Sequence, residues 1–172
     1  MTAQQSTCGN HASSDWDSRW HDVLAGRGCG MCADRGKADN GYGIRFHSGR
    51  YADTYLQRSG VVRGYSVAIW NGRHIAEPTE LTMDEAAGFW LEVLRTTQAV
   101  EEIYQPVKVN LLAMGNGLPH LHFHLVPRYT QGDPAPNRPL PFTFLDHGRQ
   151  DEERLQHDVV KLSCAAATAA AR

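Results

Sequence analysis

A run of alternating histidine and apolar residues, from His120 to Leu125, constrains the fold more than any other part of this 172-residue sequence. Successive side chains of a β-strand point to opposite faces, so strict alternation predicts a strand that is buried on one face. His120, His122 and His124 share one face of this strand, and the leucine and phenylalanine side chains between them share the other. The sequence therefore predicts a sheet with an apolar face on a core and a second face that carries three histidines.

The other hydrophobic patterns place this strand in a mixed fold. Thr82 and Glu85 match an N-terminal capping box, and apolar residues at helical spacing continue to Gln105, just before Pro106. Further strand candidates are residues 41–46, 51–56, 65–70 and 107–114. Because strands and helices segregate along the chain, the expected class is α+β, with an antiparallel sheet of about five strands packed on a long helix and helical extensions at both ends.

Three regions are expected along the chain. Residues 1–14 are polar and small, which predicts a disordered tail. Residues 15–130 hold the predicted sheet and long helix, together with a short helix over residues 15–24, and are expected to form the main domain. Residues 131–172 begin with a proline-rich segment that cannot be regular structure, and a terminal helix over residues 151–170 follows it.

Composition argues against two large classes of partner. Lys+Arg 17 and Asp+Glu 19 give a formal net charge of -2, so an extended basic surface that binds nucleic acid is not expected. No stretch approaches the roughly 18 consecutive apolar residues that a membrane-spanning helix needs. Residues 1–10 are polar and lack the apolar core of a signal peptide. A cytoplasmic protein with neither nucleic acid nor membrane as partner is therefore expected.

Cys29 and Cys32 form a C-x-x-C motif that is surrounded by glycines. In a reducing compartment such a pair is more often a metal or redox site than a structural disulfide. The glycines indicate a turn, whereas a thioredoxin-like site would follow a strand and open a helix. Metal binding, redox chemistry and two unrelated thiols all remain open for this motif.

The histidine face of the predicted strand allows three interpretations. The first is an ordinary solvent-exposed polar face, but three histidines at alternate positions are improbable on such a face. A zinc site built from all three is excluded by distance, because the Cα atoms of His120 and His124 would lie roughly 13 Å apart, whereas ligand nitrogens lie about 2 Å from zinc. The third interpretation is a reaction at phosphorus, because a neutral imidazole is a good nucleophile and a neighbouring histidine can assist the departure of a leaving oxygen.

The strand and its surroundings resemble one known family. The segment His120-Leu121-His122-Phe123-His124-Leu125-Val126, followed by Pro127-Arg128, is similar to the H-x-H-x-H signature of the histidine triad (HIT) family. The segment 64–74, which begins Gly-Tyr-Ser-Val and ends Arg-His, resembles the family's glycine-led strand and its basic-His turn. The resemblance covers roughly residues 29–129 and implies a HIT-like fold, which often pairs as a homodimer.

The resemblance also implies roles for individual residues. The middle histidine, His122, would be the nucleophile, His124 would contact the phosphate and assist the leaving group, and His120 would orient His122. A longer amide, Gln57, stands where the family usually has Asn or Asp to bind ribose hydroxyls. The substrate-binding residues implied are Asn110 and Asn116 for the phosphate oxygens and Gln57 for the ribose.

These roles predict a nucleotide hydrolase. It would cleave a nucleoside monophosphate from a phosphorus-linked leaving group through a covalent nucleotidyl-His122 intermediate. A nucleotidyltransferase or phosphorylase with the same nucleophile is the close alternative, although the transferase branch of the family carries Gln at the position of His124. A nucleotide-binding module supported by zinc, with little catalysis, is the third possibility.

Some members of the family bind a structural zinc, and the same positions are present in this sequence. The family's ligands are a C-x-x-C pair, the histidine of the basic-His turn and the first histidine of the triad. The resemblance thus implies one zinc held by Cys29, Cys32, His74 and His120, all of which are residue types suited to a closed tetrahedral site.

Overall fold

Five antiparallel strands form one sheet in the computed structural model, which describes residues 19–169. The order across the sheet places the histidine strand, the last in sequence, between the third and fourth strands. This architecture confirms the α+β class and the antiparallel sheet that the sequence predicts. The strands are β1 (Gly43–Ser48), β2 (Ala52–Gln57), β3 (Ser66–Trp70), β4 (Lys108–Ala113) and β5 (His122–Arg128), in the order β1-β2-β3-β5-β4.

The long helix begins and ends where its sequence signals predict. Thr82 Oγ1 accepts a hydrogen bond from the backbone N–H of Glu85 at 3.3 Å, and the Glu85 carboxylate accepts one from the Thr82 N–H at 2.8 Å. Gln105 ends the helix in the left-handed region, with φ of 48°, directly before Pro106. The helices are α1 (Trp20–Leu24), α2 (Gly30–Ala33), α3 (Met83–Tyr104), α4 (Thr143–Asp146) and α5 (Glu152–Ala169), with a 3-10 turn at Pro78–Glu80.

One face of the sheet packs against α3 and α5 to form the main core. Leu125 of β5, Val93 of α3 and Leu162 of α5 belong to it and are fully buried. Leu121 and Phe123 lie on the same side as Leu125, in agreement with the alternation of the sequence. The histidines of β5 therefore project from the opposite face, away from the two long helices.

The chain between β5 and α5 folds back over part of the histidine face. Leu140 and Leu145 from this segment pack with Tyr65, Val67 and Val126 of the sheet in a second buried cluster. The proline-rich part has no helix or strand, as its composition predicts, whereas the short α4 that follows it was not predicted.

Arg128, the last residue of β5, holds the segment between β5 and α5 in place through hydrogen bonds. Its guanidinium donates to both carboxylate oxygens of Asp133 at 2.8 Å and to the backbone carbonyls of Ala135 and Arg138 at 2.6 and 3.0 Å. Both side chains of the ion pair are buried. A buried and fully hydrogen-bonded pair of this kind fixes the path of a segment that has no secondary structure of its own.

Two sequence predictions fall at the ends of the chain. The disordered tail expected over residues 1–14, and the first part of the helix expected over residues 15–24, lie outside the described residues. The described part of that helix is α1, and the terminal helix expected over residues 151–170 is α5. Between residues 19 and 169, no helix has both the length and the apolar character needed to cross a membrane.

Candidate active site

His122 and His124 lie side by side near the middle of the sheet. β5 pairs with β3 on one side, so that Ile69 lies opposite His122 and Val67 lies opposite His124. On the other side Leu112 of β4 lies opposite His124. The apolar neighbours exclude water from the two imidazoles, of which each is 6% exposed.

The hydrogen bonds of His122 define its protonation. Its Nδ1 lies 2.5 Å from the backbone carbonyl oxygen of His120. Because a carbonyl oxygen only accepts, Nδ1 of His122 carries a hydrogen and donates it. The lone pair of the neutral ring is then on Nε2, which lies 3.1 Å from Nε2 of His124. His122 therefore presents an unprotonated nitrogen to the space in front of the sheet.

Both rings are neutral near pH 7. Burial lowers the pKa of His122, although the hydrogen bond to the His120 carbonyl opposes this effect. Burial also lowers the pKa of His124 to about 4, and the neighbouring His122 adds to the shift. A neutral imidazole can act as a nucleophile, and a neutral neighbour can donate a hydrogen bond without first losing a proton to water.

His120 has a different environment, because β5 begins two residues later than the alternation predicts. The ring of His120 is turned toward the C-x-x-C motif, with Nδ1 at 3.5 Å from Sγ of both Cys29 and Cys32. Its Nε2 lies 3.0 Å from the carbonyl oxygen of Trp70 and is therefore the protonated nitrogen. The lone pair of His120 thus faces the two thiols. Its backbone carbonyl accepts the hydrogen bond from the ring of His122.

Four side chains from distant parts of the chain converge at this end of the strand. One donor atom from each of Cys29, Cys32, His74 and His120 lies within 4.8 Å of all the others. Nδ1 of His74 lies 3.4 Å from Sγ of Cys32. Ideal zinc bond lengths in a tetrahedral site give a sulfur–nitrogen separation of about 3.5 Å, which these three distances match. The donor set and its geometry fit a zinc ion.

The two thiols also indicate a place for a cation. Burial, followed by the hydrogen bond and the charge of the adjacent Cys29, raises the pKa of the Cys32 thiol to about 11. The Cys32 thiol is therefore neutral near pH 7 in the absence of a cation, and a divalent metal bound to the sulfur would stabilise its thiolate. This environment favours metal binding over the redox chemistry that a C-x-x-C motif can also support.

A cleft of about 860 Å³ lies in front of the two histidines, which is large enough for a small-molecule ligand. Two predicted substrate-binding residues, Gln57 at the end of β2 and Asn116 in the loop before β5, line this cleft. Its walls come from three regions: the segment around α2 and Tyr42, the sheet with the loop after β4, and the returning segment with Phe142 and Asp146.

Asn110 is the one predicted substrate-binding residue that the structure does not bring to the cleft. It lies opposite Val126, four residues along β5 from His122, or about 13 Å in an extended strand. Its side-chain oxygen accepts a hydrogen bond from Arg128 at 2.9 Å. The placement does not support a phosphate contact from Asn110, because its carbonyl group is already used to hold Arg128.

Two cleft residues escaped the sequence analysis. The hydroxyl of Tyr65 lies 2.6 Å from Nδ1 of His124, and the ring of Phe142 stands edge-on to His124 at a centroid distance of 5.5 Å. Tyr65 could have been found from strand register, since it lies two residues before Val67, the partner of His124. Phe142 gives no such signal, because only the return of the chain over the sheet brings it there.

Comparison with known proteins agrees with this geometry. Residues 54–131 match the family model described as HIT domain. The chain contains a HIT domain. Protein hit of Bacillus subtilis (strain 168) is 29% identical over 84 residues, which cover 46% of this chain and 57% of that protein. The matched part thus spans little more than half the length of this curated relative.

Solved structures of HIT proteins have the same fold. The histidine triad protein blr8122 from Bradyrhizobium japonicum superposes with a TM-score of 0.66 at 22% identity, over 73% of this chain and 91% of that one. A Zn-bound histidine triad family protein from Mycobacterium smegmatis superposes with a TM-score of 0.60 at 21% identity, over 84% of this chain and 96% of that one. The Plasmodium falciparum diadenosine triphosphate hydrolase superposes with a TM-score of 0.55 at 11% identity, over 72% of this chain and 76% of that one.

Proposed function

We propose that this protein is a nucleotide hydrolase with His122 as its nucleophile. The observation that carries the proposal is the pair of Nε2 atoms of His122 and His124, 3.1 Å apart in a cleft that can hold a nucleotide. The hydrogen bond to the His120 carbonyl leaves the lone pair of His122 on Nε2, next to Nε2 of His124 at the wall of the cleft. The HIT domain supports an activity on nucleotides, and one structural neighbour is named a diadenosine triphosphate hydrolase.

The reaction proceeds in two displacements at phosphorus. Nε2 of His122 attacks the phosphorus of the bound substrate, a P–N bond forms, and the bond to the leaving group breaks with its electron pair on the departing atom. His124 Nε2–H donates a hydrogen bond to that atom, which takes its proton from water. A water molecule then attacks the phosphorus and loses a proton to solvent. The P–N bond breaks with its electron pair returning to Nε2, and the nucleoside monophosphate leaves with His122 restored.

The cleft supports a nucleotide as the group that is transferred. Gln57 and Asn116 supply amide donors and acceptors at its edge, and Met31, Val67 and Ile69 supply apolar wall. In this arrangement Gln57 binds the ribose hydroxyls and Asn116 binds phosphate oxygens. The amide of Gln57 is already near its own strand, where it donates to the carbonyl of Tyr55 at 3.4 Å, so ligand binding has to compete only with a long hydrogen bond.

Zinc in the Cys29, Cys32, His74 and His120 cluster is proposed as a structural metal. A bound zinc ion supplies a crosslink between elements and no chemistry at phosphorus. His120 would bind it through Nδ1, while its carbonyl oxygen orients the ring of His122. The metal thus stabilises the beginning of the strand that carries the nucleophile.

The test is a substrate screen combined with detection of the covalent intermediate. Purified protein is incubated with nucleoside phosphoramidates, dinucleoside polyphosphates and nucleotide sugars, and the intact protein is analysed by mass spectrometry after rapid quenching. We expect turnover of at least one class and a nucleotidyl adduct on the wild-type chain. His122→Ala should lose the adduct and several orders of magnitude in rate. His157→Ala, which removes an exposed histidine on α5, serves as the matched control.

The outcomes separate the alternatives. Near-native turnover by His122→Ala would contradict the covalent mechanism. An adduct that is discharged only when a second nucleotide, sugar phosphate or inorganic phosphate is added would identify a transferase or phosphorylase. Nucleotide binding without turnover across the whole panel would identify a binding module.

A further inference from the structure

The hydroxyl of Tyr65 makes a short hydrogen bond to His124 inside the sheet face. Tyr65 Oη and His124 Nδ1 are 2.6 Å apart, and both side chains are buried. The two rings are nearly parallel, with an interplanar angle of 14° and a centroid distance of 5.9 Å. Among the described contacts, this hydroxyl is the partner of the nitrogen of His124 that faces away from His122.

The hydrogen bonds along β5 allow one assignment of protons. The carbonyl of His120 requires that Nδ1 of His122 carries a hydrogen, so Nε2 of His122 has the lone pair. Nε2 of His124, 3.1 Å away, must then be the donor of that pair. In a neutral ring this leaves the lone pair of His124 on Nδ1, where the hydroxyl of Tyr65 donates to it. In this series of hydrogen bonds, which runs from the Tyr65 hydroxyl through both rings to the His120 carbonyl, every hydrogen has an acceptor.

The opposite tautomer of His124 would disable the pair. With its hydrogen on Nδ1, His124 would turn a bare Nε2 toward the lone pair of His122, and the two nitrogens would repel each other. A departing group would then also find no donor at His124. A hydroxyl differs from the carbonyls that fix His120 and His122, because it donates to the ring nitrogen and so favours hydrogen on the other nitrogen.

We propose that Tyr65 is a positioning residue that holds His124 as the Nε2–H tautomer, so that its hydrogen points at the nucleophile and the leaving group. This role in catalysis rests on the proposed function, whereas the effect on the tautomer does not. Tyr65 is well placed to act in this way because its backbone carbonyl accepts a hydrogen bond from the Gln57 N–H at 2.9 Å, directly before β3, and the residue is 4% exposed. Phe142 contacts His124 edge-on from the returning segment.

The tautomer is measured directly by nitrogen NMR of the histidine rings. Two-bond ¹⁵N–¹H correlation spectra distinguish Nδ1–H from Nε2–H imidazoles at neutral pH, and His124→Gln assigns the signals. We expect His124 of the wild type to be the Nε2–H tautomer. In Tyr65→Phe, which removes one oxygen and keeps the ring, we expect a mixture or the Nδ1–H form. Tyr129→Phe is the control, since its hydroxyl bonds the carbonyl of Arg63 instead.

Kinetics then test the catalytic part of the proposal. Tyr65→Phe should lower kcat by about tenfold or more for alkoxide or amine leaving groups, with little change in KM or in the rate with p-nitrophenolate, because only poor leaving groups need the donor. A role in packing alone would lower both rates equally, and that result would overturn the catalytic proposal.

Each remaining outcome is decisive in its own way. A wild-type His124 with hydrogen on Nδ1, or an unchanged tautomer in Tyr65→Phe, would overturn the positioning role. The tautomer of His124 in the wild type can be measured without any variant, so this test applies even if Tyr65→Phe does not fold. A tautomer shift in a protein that turns over no nucleotide would uphold the positioning role and reject the proposed function.

Discussion

His120 and His122 are two residues apart, yet their rings are held in opposite tautomers. Each donates one hydrogen to a backbone carbonyl, His120 from Nε2 to Trp70 and His122 from Nδ1 to His120. The remaining lone pair of His120 therefore faces Cys29 and Cys32, and that of His122 faces Nε2 of His124 at the wall of the cleft. Two identical side chains acquire different chemistry because different ring nitrogens are used for anchoring.

Acid should destabilise the protein through His124. Burial and the neighbouring His122 lower the pKa of His124 from 6.5 to about 4. Below about pH 6.5 the unfolded chain binds a proton that the folded protein does not, so the free energy of unfolding falls as the pH drops from about 6.5 toward 4. We expect a loss on the order of 1 to 2 kcal/mol between about pH 7 and pH 5, measured by urea denaturation.

A variant isolates this contribution from other acid effects. His124→Asn has no titratable ring, so its unfolding free energy should depend less on pH over the same interval. The Tyr65 hydroxyl, whose pKa is raised by burial, stays neutral throughout, and Asp146 of the cleft is present in both proteins. Equal acid sensitivity of His124→Asn and the wild type would contradict the assignment.

The segment between β5 and α5 depends on one buried ion pair rather than on secondary structure. Arg128 and Asp133 are 10% and 7% exposed, and Arg128 lowers the pKa of Asp133 to about 2. Removing one member of a buried pair leaves a charge without its partner, which costs far more than loss of a surface pair.

Asp133→Asn should therefore be strongly destabilising. We expect the free energy of unfolding to fall by about 2 to 4 kcal/mol, because Arg128 remains buried and charged. Asp22→Asn is the matched control: it breaks an Arg–Asp pair whose members are 66% and 58% exposed, and should cost less than about 1 kcal/mol. Similar losses in the two variants, measured by urea denaturation, would show that Asp133 does not hold the segment.

The cysteine–histidine cluster joins α2 to the end of β3 and the beginning of β5, which are neighbouring strands. Cys29 precedes α2, His74 follows β3, and His120 precedes β5. Elemental analysis should find about one zinc per chain, and a chelator should lower the melting temperature. Cys29→Ser should lower both zinc content and melting temperature, whereas Cys164→Ser, which replaces an exposed free cysteine, should change neither. A metal-free wild type of full stability would exclude the zinc site.

At the level of the complete molecule, two exposed features are of the kind found in contacts between two copies of a chain. Trp90, Leu91 and Leu94 form an apolar stripe on α3 and are 43%, 63% and 37% exposed. β4 lies at the edge of the sheet, where its described backbone pairs only with β5. Antiparallel pairing of an edge strand with itself creates a two-fold axis, so one surface can serve both copies.

We therefore expect a homodimer formed through β4 and α3. Analytical ultracentrifugation should give twice the chain mass for the wild type and the single-chain mass for Leu91→Glu, because a charge in an apolar interface is not compensated. Val160→Glu, on α5, introduces the same change at a residue that is equally exposed, 64% against 63%, and should remain dimeric. A monomeric wild type at micromolar concentration would reject this assembly.

Local sequence pattern was sufficient to predict the sheet, the long helix and the placement of His122 and His124 on one face of β5. Alternation assigns His122 and His124 to one face whatever the sheet packs against, because side-chain direction in a strand follows from backbone geometry. The capping box at Thr82 and Pro106 bound α3 through interactions within a few residues of each end. The cysteine–histidine cluster was predicted from a family resemblance, since Cys29 and His120 are far apart in the sequence.

Long-range contacts decide the rest, and sequence pattern does not report them. Asn110 lies on β4 opposite Val126, where Arg128 occupies its side-chain oxygen, and the return of the chain holds Arg128 in a buried network. Phe142 reaches His124 through the same return. The protonation of His124 depends on the hydroxyl of Tyr65, 59 residues away in the chain. Such contacts arise only when separate elements pack, because no local rule of backbone geometry links their positions.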